Sequence, residues 1–176
     1  MKILAIGATN STESINKQLA TYAAGLVTGA EVDTLDLNDF EMPIYSQQRE
    51  KNQGIPELAH QFFNKITESD AVVLSFAEYN GTYTAAFKNI FDWVSRINMK
   101  VYQGKPVVML ATSPGAGGAS SVLASAVASA PYFDADVKGH LSIASFYDNF
   151  DVVTGKLTHA ELDQELTSIM KKIGQE

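Results

Sequence analysis

The chain has no cysteine and only three histidines, His60, His140 and His159, among its 176 residues. Without cysteine there is no disulfide, no thiolate metal site and no cysteine nucleophile. The histidines are scattered, and nothing in their spacing brings them together with carboxylates as a metal ligand set. His60 and His159 fall in expected helices and read as surface residues. Basic residues are also few: 13 Lys and Arg stand against 20 Asp and Glu, a formal net charge of −7. That balance argues against nucleic acid, whose affinity rests on neutralised phosphates. It leaves room for a single bound phosphate, which a helix N-terminus can hold with little net charge. No apolar run approaches the length of a membrane span, and the opening MKILAIGATN is interrupted too early for a signal peptide, so the expectation is a cytoplasmic chain with no membrane partner. The dinucleotide fingerprint G-x-G-x-x-G, the Walker loop and the G-x-S-x-G elbow are all missing. The pairs Asp33/Asp36 and Asp148/Asp151 read as solvated loop charges rather than acid–base groups.

Hydrophobic residues make up 45 % of the chain, enough for one continuous core, and no repeat, low-complexity tract or linker divides it. Residues 1–176 therefore read as a single domain. Lys2 to Ile6 is a first strand, followed by the small, hydroxyl-rich Gly7 to Ser14. A helix from about Ile15 to Val27 carries Leu19, Tyr22, Ala23 and Leu26 on one face, with Gly29 at its end. Glu31 to Leu35 is a weak second strand, and a long connection leads to a helix over Glu57 to Ile66. Ala71 to Phe76 is a buried third strand, then Glu78-Tyr79-Asn80-Gly81 turns the chain, and Thr84 caps a helix bearing Phe87, Ile90, Phe91 and Val94. Pro106 to Thr112 is a fourth strand, Ser120 to Ser129 a helix, and Phe133 to Val137 a fifth strand that resumes around Leu141. Thr158 caps a last helix over Ala160 to Ile173.

Strands and helices in alternation imply a parallel sheet covered on both faces, a three-layer α/β sandwich. Right-handed crossovers leave few topologies, of which the five-stranded order 2-1-3-4-5 is a common one. Strands one and three are then neighbours, and the loops after them share the crevice at the switch point. Thr9, Ser11, Ser14 and Asn16 in the first loop suit a phosphate at the helix N-terminus, and equally suit an ordinary capped turn. Glu78 to Gly81 suits a planar polar ring, and equally a plain strand-to-helix turn. Ser113-Pro114-Gly115-Ala116-Gly117-Gly118 is richer in glycine than a connection needs, which lets backbone N–H groups approach a ligand.

Together these loops resemble those of the flavodoxin-like NAD(P)H-dependent FMN reductases, a family that includes quinone, azo-dye and chromate reductases. The family's Gly-Ser-x-Arg/Ser loop and following Ser-x-Asn are matched by Ala8-Thr9-Asn10-Ser11 and Ser14-Ile15-Asn16. Its Pro-Glu-Tyr-Asn-Gly stands here as Ala77-Glu78-Tyr79-Asn80-Gly81, with Lys88-Asn89 and Asp92-Trp93 in the next helix. Its Ser-x-Gly-x-Gly-Gly turn is Ser113 to Gly118. Two positions depart from the pattern, Ala8 for glycine and Ala77 for proline, and no arginine stands near Ser11.

The resemblance implies FMN as cofactor, its phosphate held by Thr9, Ser11, Ser14, Ile15 and Asn16. It implies that Ala77, Glu78, Tyr79, Asn80 and Gly81 line the ribityl chain and ring edge, and that Ser113, Gly115 and Gly117 approach the pyrimidine side. NADPH or NADH would be co-substrate and a small molecule the electron acceptor, with no side chain acting as acid or base. It also implies a homodimer or homotetramer, with the Phe87–Trp93 helix near the subunit contact. A non-catalytic FMN electron carrier and a flavin-free regulatory module are the alternatives.

Overall fold

The computed structural model describes residues 1–174. Its elements are, in order, β1 (Lys2–Ala8), α1 (Ile15–Gly25), β2 (Glu31–Leu35), α2 (Gln47–Gln53), α3 (Glu57–Thr67), β3 (Ala71–Phe76), β4 (Glu78–Tyr79), β5 (Thr82–Tyr83), α4 (Ala85–Ile97), β6 (Pro106–Thr112), α5 (Ser120–Ser129), β7 (Asp136–Ile143), α6 (Phe146–Asn149), β8 (Phe150–Asp151), β9 (Lys156–Leu157) and α7 (Ala160–Lys171). The five long strands form one parallel sheet in the order β2-β1-β3-β6-β7, the expected 2-1-3-4-5 flavodoxin-like order.

The central strands are buried on both faces, and their residues alternate between two cores. Leu4, Ile6, Val72, Leu74, Val107 and Met109 face α3, α4 and α5, whereas Ile3, Ala5, Ala71, Val73, Val108 and Leu110 face α1 and α7. At the carboxyl edge the second set continues as Gly7, Ser75 and Thr112, so an apolar face ends in small and polar residues. There α1 presses closest. A Cβ on Gly7 would stand 2.6 Å from Lys17 N and 2.7 Å from Lys17 Cα, so glycine is required by the helix backbone and not by φ.

The structure departs from the sequence reading at elements without an apolar period and at the ends of some that have one. α2 buries none of its residues and is held by its caps, Ser46 accepting from Arg49 N and Gly54 closing the end at φ 77°. A short 3-10 turn, Leu37–Phe40, also precedes it in what reads as one long connection. α1 stops at Gly25 rather than Val27, and Gly29 lies in the following turn at φ 77°. The fifth strand is one element, Asp136–Ile143, with Lys138 bulged where Val107 and Val108 pair with Val137 and Gly139. α7 is capped by His159, not Thr158, and ends at Lys171 rather than Ile173. The α6 turn and the β8–β9 hairpin carry no helical or long alternating pattern and are absent from the sequence reading.

The aromatic run of α4 divides between two sides. Trp93 is wholly buried and its Nε1 donates to Pro43 O at 2.7 Å, while Phe91 packs edge-on against Phe133 at 4.7 Å. Asn89 accepts from Tyr45 N and donates to Met42 O and Pro43 O, so Asn89 and Trp93 pin the long connection after β2. Asp33 is no solvated loop charge either: it sits in β2 and pairs with Lys65 at 3.0 Å.

The tight packing gives a paired expectation. Gly7→Ala forces a methyl into main chain and should cost about 3 kcal/mol or more in urea unfolding. Gly139→Ala meets the Ile169 side chain at 2.7 Å, which can rotate away, so its loss should be clearly smaller. Equal losses would contradict the rigid contact at Gly7.

Candidate functional site

Three loops leave the carboxyl edge of the sheet side by side, after β1, β3 and β6. Between them lies a crevice of about 210 Å³, lined by Thr9, Ser11, Glu13, Ser14, Ile15 and Asn16, by Ala77, Glu78 and Tyr79, and by Thr112, Ser113, Pro114 and Tyr147. Nine of the thirteen residues singled out from sequence therefore meet in one place.

The first loop is folded by its own hydroxyls. Thr9 is buried, its Oγ1 accepts from Ser11 N at 3.2 Å and lies 3.4 Å from the Tyr79 hydroxyl. Ser14 is the N-cap of α1 and accepts from Lys17 N at 2.9 Å. The N–H groups of Ile15 and Asn16 have no acceptor among the described residues, and they stand at the positive end of the helix dipole beside the crevice. Ala8 needs no glycine, because it is still a strand residue paired with Phe76.

Asn16 is a correction. Its side chain is buried and donates from Nδ2 to Thr112 O at 3.1 Å, while Oδ1 accepts from Thr112 N at 3.1 Å and Ser75 Oγ at 2.7 Å. That amide ties α1 to β3 and β6, with Oδ1 twice used and one Nδ2 hydrogen committed; the backbone N–H of Asn16 is left without an acceptor among the described residues. Glu78 is a second correction. Its carboxylate accepts from Val122 N at 2.8 Å, in the first turn of α5, where Ala119 supplies no side-chain cap. One oxygen of the Glu78 carboxylate is thereby committed to α5.

Asn80 and Gly81 do not line the crevice. With φ of 54° and 78° they form the two-residue turn of the β4–β5 hairpin, in which Glu78 pairs with Tyr83 and Tyr79 with Thr82. Gly115 and Gly117 are likewise exposed and outside the lining, and the conformational demand in that loop falls on Gly118, at φ 58°. Gly118 O accepts from Ser142 Oγ at 2.7 Å, and Gly115 O accepts from Ser145 N at 2.9 Å, which moors the loop to the end of β7. Four lining residues were not among those singled out, Glu13 in the first loop and three others. Thr112 and Pro114 adjoin Ser113 in sequence; Tyr147 comes from α6, which gives no sequence signal, and it is 62 % exposed.

The crevice carries no cation. Lys17 is the nearest base in the chain order, and its Nζ is held at 2.6 Å by Asp36, beyond the end of β2. Hydrogen bonding from Lys17, then from Asn38 N, holds the Asp36 carboxyl at about 2, below its ordinary 3.8. Glu13 is exposed at the rim. Negative charge in the crevice would thus be met by N–H groups, hydroxyls and a helix end. A larger, open groove of about 920 Å³ lies beside it between α1, the β8–β9 hairpin and α7. There Tyr22 donates to Asp163, and burial followed by that bond raises its pKa to about 12. The groove draws nothing from the loops after β3 and β6, so size alone does not make it the better site.

Among the described residues there is no cluster of three metal-ligating side chains and no helix long and apolar enough to cross a membrane. A model of the family described as NADPH-dependent FMN reductase matches residues 1–147. The chain is 33 % identical over 120 residues to the 2-hydroxy-1,4-benzoquinone reductase of a Burkholderia species, a match covering 67 % of this chain and 63 % of that one. It is 31 % identical to NADH-dependent flavin reductase subunit 2 of Lactobacillus johnsonii, over 94 % of this chain and 89 % of that one. The fold is shared with the NAD(P)H:(acceptor) oxidoreductase FerB of Paracoccus denitrificans at a TM-score of 0.80 and 23 % identity, covering 98 % and 94 % of the two chains.

Asp36 gives a pH expectation. Its folded pKa lies below the unfolded value, so its contribution is full above about 4 and is lost as pH falls toward about 2. Asp36→Asn should be less stable than the parent at pH 7, and urea midpoints of the two should converge between about pH 4 and 2. A constant gap over that interval would place the effect elsewhere.

Proposed function

The chain belongs to the NADPH-dependent FMN reductase family, and we propose that it is an NAD(P)H-dependent oxidoreductase that holds FMN in the three-loop crevice. The observation that carries this reading is the convergence of unpaired N–H groups and hydroxyls, with no competing cation, at the end of α1. Such a set fits a phosphate monoester: its oxygens accept hydrogen bonds, and the helix dipole favours its charge. The enclosed volume of about 210 Å³ is smaller than the roughly 300–1,000 Å³ of pockets that enclose whole ligands. It suits the phosphate and sugar end, with the ring toward the mouth where Tyr79 and Tyr147 stand exposed.

Bound FMN would supply the redox chemistry, accepting a hydride from a reduced nicotinamide and passing electrons to a second small acceptor. The chain's own residues bind and orient. Ser14 keeps the helix end open while its hydroxyl hydrogen remains free to donate, and the N–H groups of Ile15 and Asn16 point the same way. Thr9 and Tyr79 set the width between the first loop and the hairpin. Asn16 and Glu78 act indirectly, the first fixing α1 against the sheet and the second joining the hairpin to α5. Tyr79 and Tyr147 are the two phenols in the crevice wall, and no side chain is assigned as acid or base. Donor and acceptor would use one face of the ring in turn, a ping-pong order. Quinones, azo compounds, flavins and metal oxyanions are the acceptor classes to screen. A homodimer or homotetramer and a cytoplasmic location belong to the same proposal.

Two measurements test it. The purified, FMN-saturated protein should show a flavin absorbance spectrum and oxidise NADPH or NADH in the presence of a quinone. FMN uptake without turnover would leave an electron carrier, and no uptake would sink the assignment. Ser14→Asp keeps a good N-cap but sets a carboxylate against the phosphate. At roughly 1–4 kcal/mol for such a close like-charge pair, FMN affinity should fall about tenfold or more by fluorescence titration, with the melting temperature little changed. Unaltered affinity would put the phosphate elsewhere.

A further inference from the structure

Glu13 and Ser14 line both the crevice and the open groove of about 920 Å³ along the outer face of α1. The two spaces therefore adjoin at the first turn of that helix, beside the N–H groups left for a phosphate. A group esterified to that phosphate would lead out of the crevice and into the groove. The 11 residues of α1 extend roughly 16 Å from that point, longer than a nucleoside.

The groove has both kinds of surface that an adenosine phosphate needs. Tyr22, Leu26, Phe150 and Val152 give it an apolar side. The Tyr22 ring is fixed there, edge-on to Phe150 at 5.8 Å and with its hydroxyl donated to Asp163. Gln18 sets a side-chain amide one turn on from Ser14, on the same helix face. Four charged residues line the groove, and two are committed: Lys17 pairs with Asp36, and Asp163 accepts from Tyr22. Glu13 stands at the junction with the crevice, and Lys156 on the β8–β9 hairpin is exposed, with no ion pair among the described residues.

Charge points the same way. The crevice wall holds no cation. A terminal phosphate brings about −1.5 to −2 to it at neutral pH, whereas a phosphate inside a diphosphate bridge brings a single charge. The other charge then falls in the groove, within the field of Lys156. We propose that the site accepts the flavin dinucleotide FAD as well as FMN. Its flavin-side phosphate sits at the end of α1 and its adenosine monophosphate lies in the groove, the second phosphate toward Lys156 and the adenine toward Tyr22 and Val152. This rests on the flavin reading of the crevice and names a longer ligand for it. The groove belongs to the α1 and α7 side of the sheet, opposite α4, so a subunit contact through α4 does not cover it.

The test titrates FAD into the FMN-saturated protein and measures the FMN released through a filter. FAD should displace FMN at equal or lower concentration. Gln18→Trp fills the groove one turn beyond Ser14 and should prevent displacement, while FMN affinity by fluorescence titration stays that of the parent. Lys156→Glu should weaken FAD roughly tenfold at low salt and far less at high salt, again sparing FMN. FMN that is bound but not displaced by FAD would overturn the proposal and leave the FMN site standing. Displacement that neither substitution weakens would overturn it too, because the adenosine would then trail in solvent. A protein that takes up neither flavin would remove the crevice reading and this one together.

Discussion

The closeness of α1 to β1 at Gly7 is the constraint on which the site depends. With no side chain between them, the helix backbone sits directly against the sheet edge. Only from there can the Asn16 amide reach Ser75 and Thr112, and only then do the first turn of α1 and the ends of β3 and β6 share one wall. The buried amide makes three hydrogen bonds, which makes its burial tolerable and its geometry specific. The crevice follows from that placement: its donors are groups the helix leaves over at its own end.

The same economy governs the other two loops. A hairpin replaces a simple turn after β3, and its outer strand is tied by the Glu78 carboxylate to a helix that has no cap of its own. The glycine-rich loop after β6 is moored at Gly115 and Gly118 to the end of β7. Three strand ends are thus joined to one another by polar contacts that a ligand does not need to make. The arrangement is built before anything binds.

The long strands and the core-facing helices were legible because burial imposes a period, and β2, β3, β6 and α5 lie where the pattern put them. The elements that escaped are α2, held by its caps with no residue buried, and the β8–β9 hairpin, whose two buried residues, Phe150 and Leu157, are too few to set a period. At the site, the sequence told which residues would meet but not what each would do. Asn16 and Glu78 look like ligand groups because they are polar beside a strand end. One signal for Asn16 was present, since Ser75 and Thr112 interrupt buried strands on a single face and need a polar partner there. Tyr147 left no such trace, as it reaches the crevice only through the fold of α6.

The tie between Asn16 and Thr112 joins residues 96 positions apart. Chain leaves the ribosome N-terminus first, and distant contacts form late because loop closure must precede them. The loop after β1 is therefore among the first parts made and among the last to take its shape, since its anchor waits for β6 to be synthesised and docked. Until then Asn16 is an unpaired amide next to an exposed apolar strand. The nascent chain consequently acquires its crevice in one step, near the end of folding, rather than growing it loop by loop.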